Sequence, residues 1–364
     1  MQMRYEYGEG VNMLAIRNGL DKLKTYDVEE GVWPVKLDAN EMPEGYTGQL
    51  PAIVAGILTQ VPLNRYPQIA ARDLRQTLAC ELKLDIEEIL VGNGSSELLR
   101  AICYVFGGAG RRILFPTPSF SMYGVYTNLA DSEPVPFPLS DGFALSPEKL
   151  IASAKASKVS LIILCNPNNP TGTIMPQADI EYIAANAECP VVVDEAYYEF
   201  YGQSSQNLLA KYPNLIITRT FSKAYGLAAA RVGYLMTNRT LAGIINKVLL
   251  PYQINALSLA VASAVFSRRE EVMPAIREII AERSRLTSLL AGVGDISVFP
   301  SEANFLLIKT VKSLELAKQL DKKGIGVRDF SKNPGLDNCI RITVGTREEN
   351  DEVAEAISSF FRRG

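Results

Sequence analysis

Short apolar runs, each followed by a turn of small or polar residues, mark the first two-thirds of the chain: Ile89-Leu90-Val91, Arg112 to Phe115, Val159 to Cys165, Val191-Val192-Val193 and Leu215 to Thr218. A run that is apolar at every position, not at alternate ones, suits a strand covered on both faces. Between them the period changes to that of a helix, with Leu74, Leu78, Ala79 and Leu82 in one stretch and Leu98, Leu99, Ile102 and Cys103 in the next. Strand, turn and helix repeated in this order predict an α/β fold. Past Leu249-Leu250-Pro251-Tyr252 a long helical tract, from about Asn255 to Leu290, carries charged faces such as Arg268-Arg269-Glu270-Glu271. Behind it come strands at Ser297 to Pro300, Asn304 to Lys309, Ile325 to Arg328 and Cys339 to Val344. Helices at Ser313 to Lys323 and about Arg347 to Arg362 complete a small α+β unit. Upstream, Val35-Lys36-Leu37-Asp38 alternates like a strand, and the residues before it read as a short helix and an extended arm. The expected division is an arm over 1–40, a large domain over 41–255 and a small one over 256–364.

A chain of 364 residues that is 47% hydrophobic is long enough for that division. A formal net charge of −3, with both signs mixed throughout, offers no basic stripe for nucleic acid. The five cysteines are odd in number and contain no CxxC pair, so neither a disulfide framework nor a metal site is indicated, and a reducing cytoplasm is expected. The start, MQMRYEYGEG, lacks an apolar signal core, and no stretch approaches the roughly 20 apolar residues of a membrane span. Histidine is absent, which removes Ser-His-Asp, Cys-His and HExxH chemistry and leaves proton transfer to Lys, Asp, Glu, Tyr or Cys.

The candidate chemistry gathers at the strand exits. Val191-Val192-Val193 delivers Asp194 and Glu195 at its carboxyl end, where parallel sheets build their sites. Thr220-Phe221-Ser222-Lys223 places a lysine after two hydroxyl residues at the next exit. Held in a pocket with lowered proton affinity, a lysine becomes a Schiff-base former, the means by which pyridoxal phosphate is anchored. That cofactor needs an acid to keep its ring nitrogen protonated, and Asp194 is the candidate. The blander reading makes Asp194 a strand cap and Lys223 a surface lysine. Gly92-Asn93-Gly94-Ser95-Ser96-Glu97, a small-residue turn between strand and helix, points backbone N–H groups at an anion and nominates Ser95 and Ser96 for a phosphate. Arg231, with Ser222, can pair with the same phosphate. Arg341, between apolar residues in Ile340-Arg341-Ile342-Thr343, costs desolvation unless an anion or a structural ion pair meets it. In Pro118-Ser119-Phe120-Ser121-Met122-Tyr123, Phe120 offers a face for a planar ring, while Tyr123 reads as core packing.

Asn166-Pro167-Asn168-Asn169-Pro170-Thr171-Gly172, Asp194, Tyr197, Lys223 and Arg231, in this order, resemble the fold-type I aminotransferases and, within them, the histidinol-phosphate aminotransferase group. The likeness runs from Leu37-Asp38-Ala39-Asn40-Glu41 to Arg341-Ile342-Thr343-Val344-Gly345-Thr346-Arg347-Glu348. It implies a large domain with a mainly parallel seven-stranded sheet covered by helices, and a homodimeric transaminase that uses pyridoxal 5'-phosphate. The substrates implied are histidinol phosphate as amino donor and 2-oxoglutarate as acceptor, in two half-reactions through a Schiff base on Lys223. By the same resemblance Asn169 and Tyr197 share the ring oxygen of the cofactor, Phe120 stacks where the family usually has tyrosine, and Ser96 stands where an acidic residue is common. Tyr26 and Asn40 lie by the substrate, and Tyr66 reaches a phosphate in the partner's site. Arg341 grips a carboxylate and Arg328 a distal anion. An aromatic aminotransferase and a threonine-phosphate decarboxylase-like enzyme share the scaffold and remain open, as does a non-enzymatic module of the same fold.

Overall fold

The chain first lays down a three-residue strand, β1 (Val35–Leu37), and then seven that form the larger sheet. These are β2 (Ile89–Asn93), β3 (Arg112–Thr117), β4 (Glu133–Pro138), β5 (Leu161–Cys165), β6 (Val191–Asp194), β7 (Leu215–Thr220) and β8 (Val232–Thr237). A second sheet takes β9 (Ser297–Val298), β10 (Phe305–Lys309), β11 (Ile325–Asp329) and β12 (Cys339–Thr343). This computed structural model describes residues 31–362, apart from 47 and 49. From residue 31 onward they belong to one compact unit.

The large sheet runs β2-β8-β7-β6-β5-β3-β4. Every residue of β5, β6, β7 and β8 is buried, which explains why those segments are apolar without alternation. Pairing is parallel from β4 through β3, β5 and β6 to β7, and antiparallel where β8 meets β7 and β2. Register decides the rest: Cys165 lies opposite Asp194, and Asp194 opposite Thr218. The Asn-Pro turn after β5, the two carboxylates ending β6 and the lysine segment after β7 therefore leave the sheet along one edge. The edge strand β4, Glu-Pro-Val-Pro-Phe-Pro, shows no apolar run, and its prolines are tolerated because an edge strand has one unpaired side.

The small sheet runs β1-β11-β12-β10-β9, and its core includes Leu37, Leu306, Ile308, Ile325, Ile340 and Ile342. Val35–Leu37 pair in parallel with Ile325 to Val327, so an arm drawn over 1–40 ends inside this sheet, not before it. The tract from 255 to 290 is broken as well. Helix Ala256–Ser267 packs Val261, Ala262, Val265 and Phe266 into the core of the large sheet. A 3-10 turn at Arg269–Glu271 follows, and helix Met273–Leu290 starts again with Pro274 in its first turn. Among the described residues no helix is long and apolar enough to cross a membrane.

Candidate active site

Lys223 sits in the turn after β7, closed by the Gly226 N–H donating to the Lys223 carbonyl at 3.0 Å. Its side chain crosses to the segment that follows β1, where Nζ donates to the Ala39 carbonyl at 2.7 Å. Burial lowers its proton affinity, with the Arg341 charge acting in the same direction, and the ammonium titrates at about 7. A near-neutral amine on a fixed stem is what a carbonyl-capturing lysine requires.

Asp194 is buried, and its two oxygens accept from two hydroxyls: Tyr123 Oη at 2.8 Å and Thr218 Oγ1 at 3.1 Å. Among the described residues no lysine or arginine forms an ion pair with it. Desolvation outweighs the hydroxyls and raises its pKa to about 6. Tyr123 is thus both fully buried and a donor to the acid, where the sequence reading had only packing. The neighbouring Glu195 has a different task. It is buried against Arg219, with Nη2 to Oε2 at 2.9 Å, and accepts from Ser204 and the Ser205 N–H. That pair braces the strand ends and leaves Asp194 the available carboxylate.

An anion cradle forms at the start of helix Gly94–Phe106. Ser95 and Ser96 occupy its first turn, partly exposed, and Arg231 extends over it, its Nη1 donating to Ser222 Oγ at 3.1 Å. Gly94 has φ +73°, and a Cβ there would stand 2.6 Å from Arg231 Nη2. A Cβ on Gly233, in β8, would stand 2.3 Å from the Ser95 N–H. Both glycines keep the backbone and the guanidinium close enough to converge on one small anion.

A polar network joins this edge to the small sheet. Asn40, buried and with φ +54°, donates through Nδ2 to Tyr197 Oη at 3.0 Å and through its backbone N–H to Thr343 Oγ1 at 3.0 Å. Tyr197 is buried edge-on to Phe305, and burial pushes its phenol above the usual range. Arg341 donates to Asn169 Oδ1 at 2.7 Å and to the Asp38 carbonyl at 2.5 Å, and lies over the rings of Phe305 and Phe330. Asn169 and Tyr197, expected to share one atom, are held by different partners here. Arg328 is the cross-strand partner of Arg341, so both guanidinium stems rise from the same face of the sheet. Phe120 packs edge-on against Tyr123 at 5.5 Å and is partly exposed. Tyr66 stands apart, 83% exposed and stacked on Tyr252 at 4.7 Å. Tyr26 lies outside the described residues.

Tyr123 and Thr218 are the contributors that sequence reasoning missed, along with the backbone carbonyls of Asp38 and Ala39. No local signal separates Tyr123 from a packed core tyrosine; only the fold aims its hydroxyl at Asp194. The donor set has the chemistry of a flat phosphorylated aldehyde: a phosphate cradle, a buried carboxylate without a cation, an aromatic face and a near-neutral lysine. Pyridoxal 5'-phosphate fits these residues.

Comparison with known proteins agrees. The family model described as aminotransferase class I and II matches residues 34–357. A protein named histidinol-phosphate aminotransferase from Ruminiclostridium cellulolyticum is 39% identical over 339 residues, 92% of this chain and 95% of that protein. One of the same name from Caldanaerobacter subterraneus is 36% identical, over 94% and 97% of the two chains. Among solved structures, a histidinol-phosphate aminotransferase from Sinorhizobium meliloti in complex with pyridoxal-5'-phosphate superposes with a TM-score of 0.83 at 25% identity, over 91% of this chain and 92% of the other.

Proposed function

The chain belongs to the class I and II aminotransferases, and from that premise we propose that it is a pyridoxal phosphate-dependent transaminase of histidinol phosphate and 2-oxoglutarate. When bound, the cofactor supplies an aldehyde for amine exchange and a ring that withdraws electrons. Ser95, Ser96, Ser222 and Arg231 hold its phosphate, Asp194 its ring nitrogen, Phe120 its face, and Asn169 and Tyr197 its ring oxygen. Lys223, half neutral near pH 7, provides the amine that captures the aldehyde. Once displaced it is placed to take the proton from the amino-bearing carbon of the substrate and, as the ammonium, to hand it on and not back to that carbon, a short transfer that fixed geometry favours.

The observation that carries the substrate assignment is the register of Arg328 opposite Arg341. Two like charges side by side on one strand pair repel unless anions divide them. Arg341 suits a carboxylate through its planar fork, and Arg328 the second anion, the distal carboxylate of 2-oxoglutarate or the phosphate of histidinol phosphate. Asn40, and Tyr26 on the arm, are assigned to the substrate's side of the site. The histidinol-phosphate aminotransferase names of relatives covering more than nine-tenths of the chain support the same choice. The protein works in the cytoplasm as a homodimer, with the exposed Tyr66 offered to the partner's substrate phosphate.

The test is a screen of single amino donors against the cofactor-loaded protein, followed by loss of the cofactor absorbance. Histidinol phosphate should be used far better than histidinol, and Arg328→Gln should erase about ten- to a hundredfold of that preference, the worth of a charge-assisted hydrogen bond. Equal use of both donors, or better use of phenylalanine, would overturn the substrate assignment. Carbon dioxide release from phosphothreonine would replace it with a decarboxylase.

A further inference from the structure

We propose that Tyr123 is a positioning residue that fixes the charge of Asp194 and the plane of Phe120 together, so that one phenol sets both the nitrogen end and the face of the cofactor site. The proposal rests on the cofactor reading above. Tyr123 is fully buried in helix Met122–Leu129, with its hydroxyl on Asp194 Oδ2 at 2.8 Å and its ring edge-on to Phe120 at 86°. Its backbone N–H donates to the Phe120 carbonyl at 3.1 Å.

The chemistry follows from a count of protons. The groups facing Asp194 are Tyr123 and Tyr126 from that helix, Cys165 from β5, Thr218 from β7, and Glu195, Tyr197 and the Ala196 N–H from its own segment. The Cys165 thiol is engaged by the Pro167 carbonyl at 3.3 Å. The side-chain hydrogen bonds to the carboxylate therefore come from two neutral hydroxyls, one on each oxygen. A ring nitrogen brought to this carboxylate shares one proton with it. Donors to the carboxylate lower its basicity, and the proton then rests on the ring. Without Tyr123 the acid becomes the better base and takes the proton itself. A buried tyrosine that merely packed would need some partner for its hydroxyl, but removing it would not move that proton.

Tyr123→Phe keeps the ring and deletes the donor. With pyridoxal 5'-phosphate carrying ¹⁵N in its ring, the wild type should show the protonated nitrogen signal across neutral pH and the variant a signal moved toward the unprotonated position. The first half-reaction should slow by about ten- to a hundredfold. In an Asp194→Asn background the same substitution should change neither quantity. A second measurement needs no cofactor: in the apoprotein with ¹³C-labelled aspartate carboxyls, Asp194 should titrate at higher pH in Tyr123→Phe, and likewise in Thr218→Val. An unmoved nitrogen signal in a loaded variant, or an unmoved Asp194 titration in both apoproteins, overturns the proposal. If the wild type takes up no cofactor the functional reading fails instead, and the apoprotein titration still decides the role of Tyr123.

Discussion

Along the carboxyl edge of the large sheet, the two principal ionisable groups are held away from their ordinary proton affinities. On β12 of the small sheet, Arg341 is also buried but rests on neutral acceptors and two aromatic rings. Lys223 is brought down to about 7 and Asp194 up to about 6, each chiefly by loss of water. Arg341 has instead an amide oxygen, a carbonyl and two aromatic faces. The difference separates two kinds of preparation. A group that gives up a proton or shares one is poised by desolvation, at a cost in stability. A group that must only attract an anion keeps its charge and rests on neutral acceptors that an anion can replace.

The largest effect that would break this comparison belongs to Lys223→Ala. The protein should fold and still hold pyridoxal phosphate in its cradle, but borohydride should leave no reduced link to the chain, and turnover should fall by several orders of magnitude. Mass spectrometry of the reduced protein checks this, and a link found on another lysine would displace Lys223 from its role.

The comparison is sharpened by apoprotein stability, where the two regions should respond with opposite signs. Asp194 binds more protons in the native state than in the unfolded chain between its ordinary pKa, 3.8, and about 6. Its contribution is therefore present at low pH, is lost as pH rises through that window, and stays lost above it. Asp194→Asn should flatten this slope and stabilise the apoprotein at neutral pH by at most about 3 kcal/mol, at 1.36 kcal/mol per unit. Arg341→Met should destabilise it by about 1–3 kcal/mol, because it leaves Asn169 Oδ1 and the Asp38 carbonyl without their donor. Denaturant melts across pH would show both. Equal signs would mean that the two sites are prepared alike.

The smallest effect tests whether the substrate side extends beyond one chain. Mixing Lys223→Ala with Tyr66→Ala chains gives a heterodimer with one complete site if Tyr66 acts across the interface. Activity should rise toward half the wild-type value per dimer. Mixed dimers confirmed by native mass spectrometry but no more active than Tyr66→Ala alone would mean that Tyr66 acts within its own chain or does not touch substrate.

Legibility in the sequence followed the same divide. Asp194 and Lys223 could be found because apolar strands announce their carboxyl ends, and register then aligned them. Tyr123 could not, since a core tyrosine and one aimed at a buried acid have the same local pattern. The edge strand β4 was hidden by its prolines, which mark a turn in sequence and are harmless where one side has no ladder. Val35–Leu37 alternated visibly, but nothing local could tell which distant strand would receive it. The break at Arg269–Glu271 was obscured by charges that continue a helical face across it.

The tie between Asn40 and Thr343 spans 303 positions of sequence, as does that between Arg341 and the Asp38 carbonyl. During synthesis β2 to β8 leave the ribosome long before β12, so the large sheet can collapse while Asp38 to Asn40 still lack their acceptors and donors. The entropy of closing such a loop grows only with the logarithm of its length, about 0.6 kcal/mol per doubling, and a sheet already folded between the ends shortens it further. The segment whose Ala39 carbonyl holds Lys223 and the buried Arg341 can therefore be joined only once β12 has emerged, so the strand exits of the large sheet are in place before those hydrogen bonds close.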